Sequence, residues 1–244
     1  MTSNSLDTVS GKLSIVATPI GNLEDITLRA LRTLKECDVI YAEDTRVIAK
    51  LLQRYEIQKP LQRLDAATEA KKVGEVLARL DAGEHVVYVS DAGTPGVSDP
   101  GARLVAAVRE RLTKDTITIE AIPGPSALTA LLSIAGVDTT QFTFLGFLPH
   151  KKGRQTALRR IATMLAEASG GMPVVLYESP HRILKLLSEL LDACPASRIT
   201  LGRELTKMHE EVLQGTPEEL IALLEADPNH QRGEFVVIVE PVHE

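Results

Sequence analysis

The sequence predicts an α/β protein made of two α/β domains, and two observations support that prediction. In the first half of the chain, short apolar runs alternate with amphipathic stretches of about 10–15 residues, an order typical of βαβ units with a mainly parallel sheet. After residue 122, several apolar runs follow one another with short connections, which predicts a mixed sheet with antiparallel pairs. We therefore divide the chain into a disordered tail (1–11), a first domain (12–122) and a second domain (123–244).

The individual elements follow from apolar runs, which predict strands, and from helical periodicity between them. In the first domain we predict strands at 13–18, 38–42, 85–89 and 116–122, and helices at 26–36, 45–55, 69–82 and 102–113. In the second domain we predict strands at 141–147, 173–178, 198–202, 210–215 and 233–240, and helices at 127–136, 154–168, 180–193 and 217–226.

Composition excludes several classes of protein. The 244 residues are 44% hydrophobic and 25% charged, and no apolar run reaches the roughly 18–20 residues of a membrane span. A net charge of −6 argues against coating nucleic acid by bulk charge, and 3% aromatic residues argue against a base-stacking platform. Cys37 and Cys194 have no metal-ligand spacing, and the six histidines form no HExxH motif. We expect a cytoplasmic protein with reduced thiols, no secretory signal and no catalytic metal.

The segment 85–101 contains the strongest local signal for a ligand site. Its apolar strand ends at Ser90-Asp91, and a loop rich in glycine and proline follows. Open α/β sheets bind ligands at this end of their strands, and Gly93 and Gly96 allow the backbone to approach a ligand closely. The loop predicts a site for a polar small molecule, with an ordinary strand-to-helix turn as the alternative.

Other glycine-rich nucleotide motifs are absent. The loop after the first strand has Pro19 and a single glycine, Gly21, so it does not match GxGxxG, and no GxxxxGK[ST] occurs in the chain.

Charged side chains also follow the second strand. Glu43 and Asp44 suit a general base or polar contacts to a ligand. The alternative for Asp44 is that its side chain caps the next helix. Arg46, two residues further on, can simply pair with a neighbouring carboxylate.

Glu178 ends an apolar strand that we expect to be buried. Buried charges are uncommon unless paired, so a structural ion pair with Arg182 or Arg203 is as plausible as a catalytic role. The basic segment 150–154 is either a face for RNA or the solvated start of a helix.

Eight motifs in order give the chain a family resemblance. TPIGNLEDIT, AEDTR, SDAGTPGVSDPG, PGPSA, GFLP, YESPHR, RELTK and GEFVVIVE span about residues 13–240. Together they resemble the tetrapyrrole methylase superfamily, and most closely its ribosomal RNA small subunit methyltransferase I branch.

The resemblance implies two α/β domains of the class III methyltransferase type, with S-adenosylmethionine in the interdomain cleft. It implies 2′-O-methylation of a cytidine ribose in small-subunit ribosomal RNA by a homodimer. The implied cofactor-binding residues are Pro19, Gly21, Ser90, Asp91, Ala92, Gly93, Ser126, Ala127, Phe147, Leu148, Tyr177 and Gly233.

A ribose hydroxyl is a poor nucleophile, so a base or a stabilising cation would assist the transfer. The catalytic candidates are Glu43, Asp44, Glu178 and Lys207, and the RNA-contact candidates are Arg46, Lys151, Lys152, Arg154 and Arg203. In relatives an HxHNE stretch occupies the position of residues 65–69, of which only Glu69 is retained here. Two alternatives remain: methylation of a tetrapyrrole ring, and a non-catalytic module that binds cofactor or RNA.

Overall fold

We describe the protein from a computed structural model, which covers residues 11–111, 117–166 and 171–241. Within these residues the chain divides into two compact units, one ending at Ser126 and the next beginning at Ala127. The domain boundary at residue 122 stays a prediction. Residues 1–10 of the predicted tail lie outside the described residues. Gly11, its last residue, instead begins a strand and packs so closely that a Cβ there would lie 2.0 Å from the Leu80 carbonyl oxygen.

The first unit contains a five-stranded parallel sheet, as predicted for this half of the chain. Its described strands are β1 (Gly11–Val16), β2 (Val39–Ala42), β3 (Leu61–Arg63), β4 (His85–Val89) and β5 (Ile117–Ile122). Their order across the sheet is β3-β2-β4-β1-β5, and each neighbouring pair is parallel. The sequence analysis gave no bounds for β3 because this three-residue edge strand contains no apolar run.

Helices cover both faces of this sheet. They are α1 (Leu28–Glu36), α2 (Thr45–Arg54), α3 (Glu69–Asp81) and α4 (Ala102–Arg111). Residues of α1 and α2 pack into one apolar cluster with one face of the sheet, and residues of α3 and α4 pack into another with the opposite face. Residues 112–113 of the predicted fourth helix and residue 116 of the predicted strand lie outside the described residues.

The second unit contains a mixed sheet, as predicted. Its described strands are β6 (Thr143–Phe147), β7 (Val174–Glu178), β8 (Arg198–Arg203), β9 (Glu211–Gly215) and β10 (Phe235–Glu240). The order is β6-β7-β10-β8-β9, in which β6 and β7 are parallel and the other pairs are antiparallel.

The helices of the second unit are α5 (Ala127–Ile134), α6 (Arg154–Leu165), α7 (Ile183–Ala193) and α8 (Pro217–Ala226). Side chains of α6, α7 and α8 share one apolar core with the sheet. A capping box between Thr216 and Glu219 starts α8. Residues 167–168 of the predicted sixth helix lie outside the described residues. Among the described residues, no helix has the length and apolar character needed to cross a bilayer.

Candidate functional site

The loops that follow β1 and β4 are joined at the carboxyl edge of the first unit's sheet. Thr18 and Gly93 form an antiparallel bridge, in which the N–H of each donates to the carbonyl oxygen of the other at 2.9 and 3.0 Å. The Thr18 hydroxyl also donates to the carbonyl oxygen of Ser90 at 3.2 Å. Because β1 and β4 are parallel neighbours, both loops leave from the edge where such sheets bind ligands.

Gly93 adopts a backbone conformation that favours glycine. Its φ is +78°, and a Cβ there would lie 3.4 Å from Cγ2 of Ile20. The Ser90 hydroxyl donates to the Gly93 carbonyl oxygen at 3.3 Å, and the Thr94 hydroxyl donates to that of Pro125 at 3.2 Å. The loop after β4 is therefore fixed against the loops that follow β1 and β5.

Three partly buried carboxylates lie at the ends of β2 and β4. Burial raises the pKa of Glu43, and the charge of Asp91 raises it further. Burial also raises the pKa of Asp91, and it raises the pKa of Asp99 to about 6. Carboxylates that are desolvated and repel one another would be stabilised by a nearby positive charge. This edge of the sheet therefore favours a cationic ligand.

Asp44 caps helix α2. Its carboxylate accepts hydrogen bonds from the backbone N–H of Arg46 at 2.8 Å and from Nε of the same residue at 3.0 Å. These hydrogen bonds lower the pKa of Asp44 to about 2. Its own backbone N–H donates to Oδ1 of Asp91 at 2.8 Å. Asp44 is thus an ionised helix cap, which argues against the predicted role as a base, because so acidic a group is a weak proton acceptor near neutral pH.

The first unit contains the predicted cofactor residues of the glycine- and proline-rich loops. Pro19 and Ser90 are buried, Asp91 is half-buried, and Ala92 is exposed. Gly21 lies in an exposed turn before the short 3-10 helix Leu23–Asp25, and Ser126 is the half-buried last residue of the unit.

The second unit contains an aromatic cluster that includes two of the predicted cofactor residues. The ring of Tyr177 meets those of Phe144 and Phe147 edge-on, with ring centres 5.0 and 5.6 Å apart. The Tyr177 hydroxyl oxygen accepts a hydrogen bond from the backbone N–H of Leu128, in the first turn of α5, at 3.3 Å. Phe147 is 51% exposed, and its neighbour Leu148 is buried. An exposed ring packed against a half-buried aromatic ring suits contact with a planar group.

The other two predicted residues of this unit are Ala127 and Gly233. Ala127 begins α5, beside Leu128. Gly233 precedes β10 and has a φ of +92°, and a Cβ there would lie 2.3 Å from Cγ of Glu204. Close packing against Glu204 therefore explains this glycine within the second unit.

Glu178 is buried in an ion-pair network, which argues against the predicted catalytic role. Its side chain is fully inaccessible, with Oε1 2.7 Å from Nη2 of Arg182 and Oε2 3.7 Å from Nη2 of Arg154. A carboxylate with no exposed surface has no access to a substrate. Arg182 is the predicted partner, whereas Arg203 pairs elsewhere.

Two of the arginines predicted to contact RNA are buried in ion pairs, which argues against that contact. Arg154 is 3% exposed, and its Nε donates to Glu189 at 2.7 Å. Arg203 is 9% exposed, and its Nε donates to Glu211 at 3.0 Å while Nη1 donates to the Arg232 carbonyl oxygen. Both guanidinium groups are used inside the second unit, which leaves them unable to reach phosphates. Arg46, Lys151 and Lys152 are exposed, and RNA contact stays a prediction for them.

Lys207 is held by two glutamates rather than free to act as a base. Its Nζ lies 2.8 Å from carboxylate oxygens of both Glu204 and Glu234. Burial alone would lower the pKa of Lys207, but these hydrogen bonds outweigh it and the pKa is raised. The ammonium group therefore stays protonated, which favours a stabilising cation over a base among the roles predicted for the catalytic candidates.

Sequence reasoning assigned no role to three residues of the first unit. Asp99 lies within a quoted motif but was not singled out, although its pKa is among the raised ones. Arg63, 68% exposed beside Asp65, ends a strand with no apolar signal. Glu69 accepts hydrogen bonds from the N–H groups of Gly101 and Leu104, both at 3.1 Å, and no sequence pattern links residues so far apart.

The described residues contain no group of three histidine, cysteine or acidic side chains able to hold a metal ion. The fold is that of an α/β protein with a cluster of loops at the carboxyl edge of a parallel sheet, which is the candidate ligand site, and an aromatic cluster in a second unit.

Comparison with known proteins identifies the family. The family model described as Tetrapyrrole (Corrin/Porphyrin) Methylases matches residues 12–221, and the chain belongs to this family. It is 43% identical over 236 residues to the Ribosomal RNA small subunit methyltransferase I of Neisseria meningitidis serogroup B, covering 97% of this chain and 78% of that relative. It is 41% identical over 229 residues to the protein of the same name from Thermotoga maritima, covering 94% and 98%.

A solved structure shares the fold. Uroporphyrin-III C-methyl transferase from Thermus thermophilus, complexed with S-adenyl homocysteine, superposes with a TM-score of 0.61 at 22% identity. The match covers 94% of this chain and 97% of that structure. The two-unit α/β architecture is thus that of the family's methyltransferases.

Proposed function

We propose that the protein methylates small-subunit ribosomal RNA, transferring a methyl group from S-adenosylmethionine to the 2′-hydroxyl of a cytidine ribose. The observation that carries the proposal is the 41–43% identity, over nearly the whole chain, to relatives named ribosomal RNA small subunit methyltransferase I. The cytidine and its 2′-oxygen come from the resemblance of the eight motifs.

The residues of the first unit fit S-adenosylmethionine. The donor has a sulfonium and an ammonium group, and the carboxylates of Glu43, Asp91 and Asp99 supply negative charge that a cation would stabilise. Gly93 has no Cβ, so a ligand can approach its loop without meeting a side chain at this position. We assign the amino-acid end of the donor to the loop Ser90–Gly93.

The aromatic cluster of the second unit fits the adenosine part of the donor. Phe147 presents an exposed ring, and Tyr177 supports that ring edge-on. Stacking and apolar contact hold a purine without requiring charge. We assign Phe147, Leu148 and Tyr177 to this part of the donor.

When bound, S-adenosylmethionine supplies an electrophilic methyl group, so the chain itself needs no covalent intermediate and no metal. The task of the chain is to align the ribose oxygen and to accept its proton. Glu43 is the best placed of the predicted candidates, because burial and Asp91 raise its pKa toward the pH at which a base both exists and accepts protons well. Lys207 is a fixed cation, and Asp44 orients Arg46.

The test is methylation of small ribosomal subunits from cells that lack this activity, with purified protein and methyl-labelled donor. We expect the label in an alkali-resistant dinucleotide and in 2′-O-methylcytidine after digestion to nucleosides. A label on a nucleobase would keep ribosomal RNA as substrate and overturn the 2′-O assignment. Label found only when tetrapyrrole precursors replace the subunits would overturn the RNA proposal.

A further inference from the structure

A buried four-residue charge network lies beneath the segment that follows β6. Glu178 accepts a hydrogen bond from the Ser179 N–H at 2.8 Å and pairs with Arg182 at 2.7 Å. Arg154 lies 3.7 Å from the other Glu178 oxygen and 2.7 Å from Glu189. Two positive and two negative charges balance within the network, and all four side chains are at most 15% exposed.

Both arginines also hold consecutive carbonyl groups of the same segment. Nη1 of Arg182 donates to the Leu148 carbonyl oxygen at 3.1 Å, and Nη1 of Arg154 donates to the Pro149 carbonyl oxygen at 3.2 Å. The guanidinium carbon of Arg182 also lies 5.9 Å from the centre of the Phe147 ring. A guanidinium group can bind a carboxylate and a carbonyl oxygen together because its donors point in fixed directions.

A gain in stability alone does not explain this network. Removing four charged groups from water carries a desolvation penalty that apolar residues of similar volume avoid, and buried ion pairs are therefore weak stabilisers. What apolar residues would not supply is a fixed direction for the chain between Phe147 and the exposed Lys151 and Lys152. The geometry therefore favours a positioning role.

We propose that Glu178 is a positioning residue, which acts through Arg182 and Arg154 to hold the segment 147–152 in the geometry that binds methyl donor and RNA. The proposal rests on the proposed function, since it assigns Phe147 and Leu148 to the donor and Lys151 and Lys152 to RNA phosphates. Arg182 holds the end of the segment that is assigned to the donor, and Arg154 holds the end that contains the two lysines.

The experiment compares Glu178→Gln, Arg182→Lys and Glu189→Gln with the exposed control Glu225→Gln, on helix α8, in the full-length protein. For each we measure kcat and KM with small ribosomal subunits, the Kd of S-adenosylhomocysteine by calorimetry, and hydrogen exchange of the backbone amides of Leu148 and residues 150–152. Arg182→Lys keeps the charge but loses the fork of donors, so it tests the idea if Glu178→Gln does not fold.

We expect Glu178→Gln to raise KM about tenfold and Kd several-fold and to speed local exchange, while kcat at saturation stays within about threefold. Arg182→Lys should mainly raise Kd, and Glu189→Gln should mainly raise KM. Glu225→Gln should match the unmodified protein in every measurement.

Three results would overturn the proposal. A kcat loss of about a hundredfold or more with KM unchanged would indicate a base at Glu178. A lower melting temperature with unchanged KM, Kd and exchange would indicate a purely structural role. Unchanged values in both Glu178→Gln and Arg182→Lys would exclude any role. If the unmodified protein fails to methylate subunits, the proposed function fails. The Kd and hydrogen-exchange measurements would still test whether Glu178 and Arg182 hold the end of the segment that contacts the donor.

Discussion

Gly93 and Gly96 lie in the same loop with almost the same φ, +78° and +81°, but their surroundings differ. A Cβ at Gly93 would contact Ile20, whereas none of the described atoms lies within 4 Å of one at Gly96. The two positions therefore separate backbone strain from steric obstruction of the binding loop.

We predict that Gly93→Val weakens binding of S-adenosylhomocysteine at least about tenfold, while Gly96→Val changes it less than about threefold, as measured by calorimetry. Both variants should lose roughly 1–2 kcal/mol of unfolding free energy or more, because a positive φ is unfavourable for any residue with a Cβ. Equal donor affinity in the two variants would show that Gly93 does not lie at the donor.

Glu43 determines the pH dependence that we expect of the reaction. As a base it must be ionised, so kcat should fall as the pH falls through its pKa, which burial raises above the ordinary value. We predict that Glu43→Gln lowers kcat by about 10²–10⁴ and removes this acid limb from the pH–rate profile.

Asp44→Asn is the matched comparison for that measurement. Because asparagine caps a helix about as well as aspartate, we expect little change in stability and retention of the acid limb. An acid limb that survives Glu43→Gln would assign the base elsewhere, with the half-buried Asp99 the next group to test.

At the scale of secondary structure, the start of α4 depends on a residue from another helix. Glu69, in the first turn of α3, is 5% exposed and accepts the N–H groups of Gly101 and Leu104. It satisfies donors that a helix start leaves without intrahelical partners, and it fixes the end of the binding loop. The single residue retained from the HxHNE stretch thus has a structural explanation.

We predict that Glu69→Ala lowers the free energy of unfolding by about 2–4 kcal/mol, since two buried N–H groups lose their acceptor. Chemical denaturation provides the measurement. The exposed Lys71→Ala in the same helix should change it by less than about 0.5 kcal/mol. A Glu69→Ala variant as stable as Lys71→Ala would contradict this account of the α4 start.

For the whole molecule, a net charge of −6 means that RNA binding must depend on local positive charge. With Arg154 and Arg203 buried, the exposed Lys151 and Lys152 are the cations of the basic segment available to phosphates. These lysines precede α6 in the second unit, and the carboxylates of the donor site belong to the first.

We predict that replacing Lys151 and Lys152 together by alanine raises KM for small subunits and reduces the slope of log binding constant against log salt by about 2. The Kd of S-adenosylhomocysteine should not change. Replacing Lys35 and Lys71, on helices of the first unit, gives a control of equal charge. An unchanged salt slope would exclude the basic segment from the RNA interface.

The sequence predicted the elements whose signals are local. Apolar runs located nine of the ten described strands, and helical periodicity located α1 to α8, because burial on one face imposes a repeat that neighbouring residues reveal. The bounds of the edge strand β3 were not predicted, because this strand is short and half-exposed. Capping by Asp44 was open in the sequence because a carboxylate after a strand suits both a cap and a base.

The sequence by itself determined the fold class, the family motifs and the loop at which Asp91 and Gly93 lie, since each depends on residues close together in the chain. Only the tertiary structure decided which charges are available for chemistry. Glu178 and Arg154 were candidates until packing buried them together, and Glu69 found its partners 32 and 35 residues away. Burial and long-range pairing depend on how strands and helices assemble, and no local pattern records that.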